Sequence, residues 1–280
     1  MIKFSSKLAL AFLFTCIAAA PNAWSQISIQ AQMGYAFPWA ENDVPEGSLV
    51  VKNNTVREYD LYKKSYGAGQ HYMVSLSHPI FSNVSLGLQL SYLSGAKTSR
   101  TFDIMTSRAE EINSGRMFWF TPQIQMEKPF QNFLLYAGIG PSIGLSGKII
   151  VDLNVVSQNS YSEQRTILSK GLAFGVSSYV GATCFISKNK KIKLLAEIRL
   201  TSASFAPRRG DLVIWNQNGN DFWLTTTLSQ RAVVFKKKRI KDSTVTPDIN
   251  QPSEATLRYY AFSSVGINIG IVYLLFDGKE

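Results

Sequence analysis

His71 and His78 are the only histidines in the chain, and therefore the only side chains of the type that serves as a general base near neutral pH. His71 stands four positions before Ser75, which invites a base-and-nucleophile reading of the kind a lipid-modifying hydrolase or acyltransferase needs. On a strand, that spacing separates the two by roughly 13 Å, beyond hydrogen-bond reach, so packing in an interior is the favoured role of His71. His78, within Ser77-His78-Pro79, reads as a turn residue.

A second constellation is Lys193, Glu197 and Arg199, all of one parity in a segment that alternates apolar and polar residues. Side chains of one parity share one face of a strand. Three charges on an enclosed face are expected to pair, because an uncompensated buried charge is costly; a charged, ion-selecting constriction is the alternative. The third is basic: Arg208, Arg209, Arg231, Lys236, Lys237, Lys238, Arg239 and Lys241, interleaved with Trp215, Phe222, Trp223 and Phe235. Such a cluster attracts anionic groups, or simply keeps a loop solvated. No metal-ligand cluster, phosphate-binding glycine loop or nucleotide signature stands out, and no cofactor is expected; Gly138-Ile139-Gly140 lies in an apolar strand and does not open a helix.

The elements that must position these residues have a period of two. In Leu257 to Phe276, apolar side chains occupy nearly every odd position, while Ser264, Gly266, Asn268 and Gly270 share the even face. Seven earlier segments repeat the pattern, near residues 27–37, 69–77, 84–92, 118–126, 133–145, 171–184 and 192–201. The set around Val84, Leu86, Leu88 and Leu90, opposite Ser85, Gly87 and Gln89, alternates most cleanly. Connections alternate too: tight turns at His78 to Asn83, Lys128 to Asn132 and Ser187 to Lys191, and long polar stretches at Trp39 to Gly67, Ser94 to Gly115, Ser146 to Ser169 and Phe205 to Thr256. Eight apolar-and-polar strands with unequal connections predict an all-β chain: a closed antiparallel transmembrane β-barrel with short periplasmic turns and long outer loops. Eight strands leave a lumen that side chains fill, and the small and polar inward set fits that better than an open pore. The hairpin signal Asn218-Gly219 leaves room for a ribbon beyond the membrane, or for an extra strand pair making about ten. Pro122 and Pro141 cut against the scheme, since a closed barrel has no free edge; each is expected at a bulge or nearer a strand end.

Residues 1–25 carry Lys3 and Lys7, an apolar run from Leu8 to Ala20, and Ala23-Trp24-Ser25 as a small-x-small cleavage site, which reads as a secretory signal peptide ahead of a 26–280 barrel domain. Cys184 is then the single remaining cysteine, expected as a small packing residue with no disulfide. Charged residues make up only 17% of the 280, below the roughly 25% of a soluble domain, which suits a surface facing lipid.

Leu135-Tyr136-Ala137-Gly138-Ile139-Gly140 and Asn268 to Phe276 resemble the small, porin-like outer-membrane β-barrel family of Gram-negative bacteria. The resemblance implies an integral outer-membrane location. It also implies that Asn268, Gly270, Tyr273, Leu275 and Phe276 form a C-terminal signal for the barrel-assembly machinery. The expected function is non-enzymatic: a structural or surface-interaction role in the cell envelope, with loops meeting lipopolysaccharide, a host or another envelope protein. A narrow pore for ions or small solutes is the second reading, and a lipid-modifying enzyme the third. Nucleic acid has no place outside the cell.

Overall fold

The computed structural model describes residues 27–39, 42–44, 49–52, 56–59, 62–104, 107–131, 133–187, 191–237 and 248–275. The signal peptide expected at 1–25, Lys238, Arg239, Lys241 and Phe276 lie outside them. The chain is all-β, dominated by one sixteen-stranded sheet, with a single short α-helix, Leu228–Arg231, among the described residues.

Eight strands carry the organisation: β1 (Ser28–Pro38), β2 (Gly69–Phe81), β3 (Val84–Gly95), β4 (Ser107–Pro129), β5 (Phe133–Gly144), β6 (Leu172–Phe185), β7 (Ile192–Ala206) and β8 (Ser264–Leu274). Each pairs antiparallel with its neighbours in chain order, and β8 pairs with β1 in unbroken register from Ser28↔Leu274 to Pro38↔Ser264. Following the hydrogen bonds from β1 therefore leads back to β1. Short turns join β2 to β3, β4 to β5 and β6 to β7; the long connections all leave from the opposite end.

Burial along these strands is inverted relative to a water-soluble sheet. Ile124, Ile139, Val180, Ile198, Ile267 and Ile269 are each more than half exposed, whereas Gln30, Gln89, Gln123, Gln125, Glu197, Arg199 and Asn268 are buried. Outward apolar and inward polar side chains alternate at the parity predicted from the sequence.

The long connections are not simply polar loops. The first half of β4 runs past the circuit and pairs with Thr98–Ile104 on one edge and Lys148–Ser157 on the other. The sheet continues through Ser160–Ser169, Arg209–Gln217, Ala232–Lys236 and finally the parallel strand Ser253–Thr256. Arg209–Gln217 pairs within this outer sheet and with Asn220–Asp221 across the Asn218-Gly219 turn, as the ribbon alternative expects.

Two expectations are corrected. The strand drawn from Leu257 to Phe276 is broken: only Ser264–Leu274 runs with the circuit, while Tyr260–Ala261 makes a brief contact with β7. At the break both parities are buried from Tyr260 to Ser264, and Ser263 Oγ accepts the Ala203 N–H, replacing a ladder bond by a side-chain one. The prolines mark neither bulges nor strand ends. Counting from Ile139↔Ile124 and Ile143↔Phe120, Pro141 stands directly opposite Pro122, and the β4–β5 ladder is interrupted only between those pairs. With no N–H on either residue, two cross-strand bonds are lost at one point. The ladders behind them continue, with Leu88↔Pro122 and Pro141↔Val176 both in register. On the inner side Thr121 and Ser142 hydroxyls, 3.0 Å apart, bridge the gap.

Candidate functional site

Inside the circuit the side chains form three storeys. The middle one is built around Glu197 on β7. Its Oε1 accepts from Arg199 Nε at 2.8 Å and from Asn268 Nδ2 at 3.3 Å, and its Oε2 accepts from Tyr136 Oη at 3.2 Å. The two charged side chains are 1% and 3% exposed. Arg199 also donates Nη1 to Ser177 Oγ at 3.2 Å and lies 4.3 Å over the Tyr179 ring. Tyr179 Oη donates to Gln125 Oε1 at 3.1 Å, and Gln125 Nε2 to Glu127 Oε1 at 2.9 Å, where Ser85 Oγ also donates. Charge-assisted and neutral bonds thus link β3, β4, β5, β6, β7 and β8 across the lumen.

Two glycines make this possible. Tyr136 is paired with Gly181 and Tyr179 with Gly138 across the β5–β6 ladder. A Cβ at Gly181 would stand 2.4 Å from the Tyr136 ring, and one at Gly138 only 2.3 Å from that of Tyr179. Each phenol lies flat over the glycine opposite it, and so reaches the charges beyond.

Lys193 is not part of this network. Its Nζ sits 4.9 Å over the Phe185 ring at the short-turn end, lining a polar cavity of about 230 Å³ with Glu127, Ser85, Ser77 and Thr183. The expectation that Lys193, Glu197 and Arg199 pair as a trio is corrected: four residues of strand carry Lys193 a storey away from Glu197. Glu127, which falls between the segment 118–126 and the turn from Lys128 in the sequence reading, is the carboxylate of this lower storey.

The upper storey is apolar and was not foreseen. Tyr66, Met117, Trp119, Phe205, Tyr260 and Phe262 pack with Leu93, Ile149 and Leu168 at the long-connection end. Phe262 is the centre, stacked on Tyr66 at 5.8 Å and edge-on to Phe205 at 5.7 Å and to Trp119 at 6.4 Å. The sequence did carry a signal. At Leu93, Met117, Trp119 and Phe205 the inward parity turns from polar to large and apolar.

His71 and Ser75 both face inward and are buried, and no hydrogen bond joins them. Cys184 is exposed on the outward face, so its expected packing role is corrected. The basic cluster is partly neutralised in place. Arg209 donates to Asp211 at 2.7 Å, Lys236 pairs with Glu254, and Arg231 lies 4.6 Å over the Trp223 ring; Arg208, Lys236 and Lys237 are its exposed described members. At the end of β8, Asn268 is fully buried in the network and Gly270 packs against Gln32, whereas Tyr273 and Leu275 are 44% and 37% exposed on the outward side.

No protein-family model matches the sequence, and no curated protein does. Among solved structures the chain is similar to the crystal structure of Neisserial surface protein A (NspA), with 10% identity and a TM-score of 0.39, covering 88% of this chain and 96% of that one. So loose a likeness assigns nothing beyond itself, and the chemistry above stands on this chain's own residues.

Taken together, the interior braces. Both oxygens of Glu197 are occupied by donors, Arg199 from its own strand and Tyr136 and Asn268 from β5 and β8, and the carboxylate is walled off by the aromatic cluster above it.

Proposed function

We propose that the chain is an eight-stranded β-barrel integral to the outer membrane of a Gram-negative bacterium, with a non-enzymatic structural or surface-interaction role in the envelope. The observation that carries this reading is the inverted burial: isoleucines and valines more than half exposed outside, glutamines, Glu197, Arg199 and Asn268 buried within. In water such a surface would associate, whereas in a bilayer it is the solvent-facing side. The circuit of pairings from β1 back to β1 supports closure, which hydrocarbon demands of a sheet.

The outer sheet is then the part presented to the surroundings. Arg208 and Lys237, with Lys238, Arg239 and Lys241 nearby in sequence, offer positive charge to the phosphates of lipopolysaccharide or to an acidic envelope or host partner. Tyr273 and Leu275, side by side in parity and outward, are what the barrel-assembly machinery would read as the C-terminal signal. The aromatic storey argues against the pore reading, since it fills the lumen above the charged network.

Intact cells expressing the protein, treated with a membrane-impermeant amine reagent, should be labelled at Lys237 and not at Lys193, which faces the opposite end. Labelling of Lys193 alone would reverse the orientation. A chain recovered entirely in the soluble periplasmic fraction would remove the reading.

A further inference from the structure

The short-turn end of the lumen holds a cavity whose charges are unmatched. Lys193 and Glu127 are the two charged side chains on its wall, and neither is ion-paired among the described residues. In the circuit β5 and β6 stand between their strands, so the two face one another across the lumen. Lys193 Nζ has only the Phe185 ring, 4.9 Å from it. Glu127 takes its hydrogen bonds from Ser85 Oγ and Gln125 Nε2 on Oε1, which leaves Oε2 without a donor.

A third group marks the Lys193 side. Thr183 is 6% exposed and lines the cavity, and its Oγ1 is buried without a partner. It lies diagonally across the β6–β7 ladder from Lys193, since Phe185 pairs with Lys193 and Thr183 with Leu195. An ammonium and an uncommitted hydroxyl on neighbouring strands together suit an anionic oxygen, while the carboxylate oxygen on the far wall suits a cation.

From this arrangement we infer that the cavity binds a small zwitterion of the amino-acid class, its carboxylate between Lys193 Nζ and Thr183 Oγ1 and its ammonium at Glu127 Oε2. A lone anion would answer Lys193 and leave Glu127 unmatched, and a lone cation would do the converse; one molecule carrying both charges answers both. The space, about 230 Å³, exceeds the roughly 150 Å³ that holds a benzene ring, and so admits a molecule of that size. Tyr136 and the Glu197 storey close the inner end, so the ligand enters and leaves by the short-turn mouth. The inference rests on the circuit of strands and not on the envelope role proposed above.

The full chain, folded in detergent micelles, can be titrated calorimetrically with glycine, β-alanine and 4-aminobutyrate, which hold the two charges at increasing separation, and with acetate and methylammonium as the single charges. At least one zwitterion should bind saturably and about tenfold tighter than either single charge, the worth of one further charge-assisted hydrogen bond. Lys193→Gln and Glu127→Gln should each weaken that binding by about tenfold, and Thr183→Val by less, with every variant still migrating as a compact species on unboiled gels. Absence of saturable binding would overturn the inference, as would acetate or methylammonium binding as tightly as every zwitterion, or binding that survives Lys193→Gln. Should a charge variant fail to fold, the comparison of zwitterions with single charges on the unaltered chain still decides. The titration in micelles is blind to location, so recovery of the chain in the soluble fraction would sink the envelope reading and leave this one standing.

Discussion

Glu197→Ala lowers the stability of the folded chain by about 3–5 kcal/mol, the cost of leaving a buried charge without its partner. Arg199 is the charge in question. Buried at 3% exposure, it keeps only Ser177 Oγ and the Tyr179 face when the carboxylate is gone. Tyr136 Oη and Asn268 Nδ2 lose their acceptor in the same step, so the damage spreads to β5 and β8. Urea-induced unfolding in vesicles measures the loss directly. The double substitution Glu197→Ala with Arg199→Met should recover most of it, because removing both charges leaves no ion to desolvate. If Glu197→Ala costs nothing and instead changes ion conductance, the pair belongs to a permeation path and not to a brace.

Phe262→Ala is expected to cost a similar amount, about 3–5 kcal/mol, as a large side chain is lost from a packed core. Phe262 is 1% exposed and touches three aromatic rings contributed by separate parts of the chain, so collapse around the vacancy would require several strands to move together. The same urea measurement applies. In planar bilayers the unaltered protein should give no stable conductance steps, since this storey fills the circuit at its long-connection end. Stable, reproducible steps would move the function to the pore reading.

The faces of the eight strands were legible in the sequence because side-chain direction in a strand is a property of the backbone alone. His71, Glu197 and Arg199 could be assigned to the interior without knowledge of the fold. The network that Glu197 and Arg199 form was not legible, since its other members, Tyr136, Tyr179 and Asn268, come from three strands whose relative register local alternation does not specify. Register also hid the opposition of Pro122 and Pro141, which lie 19 positions apart in the chain. Each proline alone argues against a central strand; facing one another they confine the damage to a single seam. Of the outer sheet, the hairpin at Asn218-Gly219 was legible, whereas the strands of the connection after β5 were missed for a different reason. Along Lys148–Ser157 and Ser160–Ser169 nearly every side chain is half-buried, so neither face is clearly apolar and the period of two fades. The final strand was overextended because its odd positions stay apolar through Tyr259, although aromatic Tyr260 and Phe262 on the even face already mark the change from polar lumen to aromatic storey.

The inverted barrel is tested most directly by a spin-label scan along β8, with single cysteines placed from Ser264 to Leu274 in a Cys184→Ser background and the protein in lipid vesicles. Collision with oxygen, which concentrates in hydrocarbon, should peak at Val265, Ile267, Ile269, Ile271 and Tyr273 and fall at Ser264, Gly266, Asn268 and Gly270, while a water-soluble relaxant stays low at the mid-strand peaks. A scan without this period of two, or one in which the water-soluble relaxant reaches Ile267 and Ile269 freely, would contradict it.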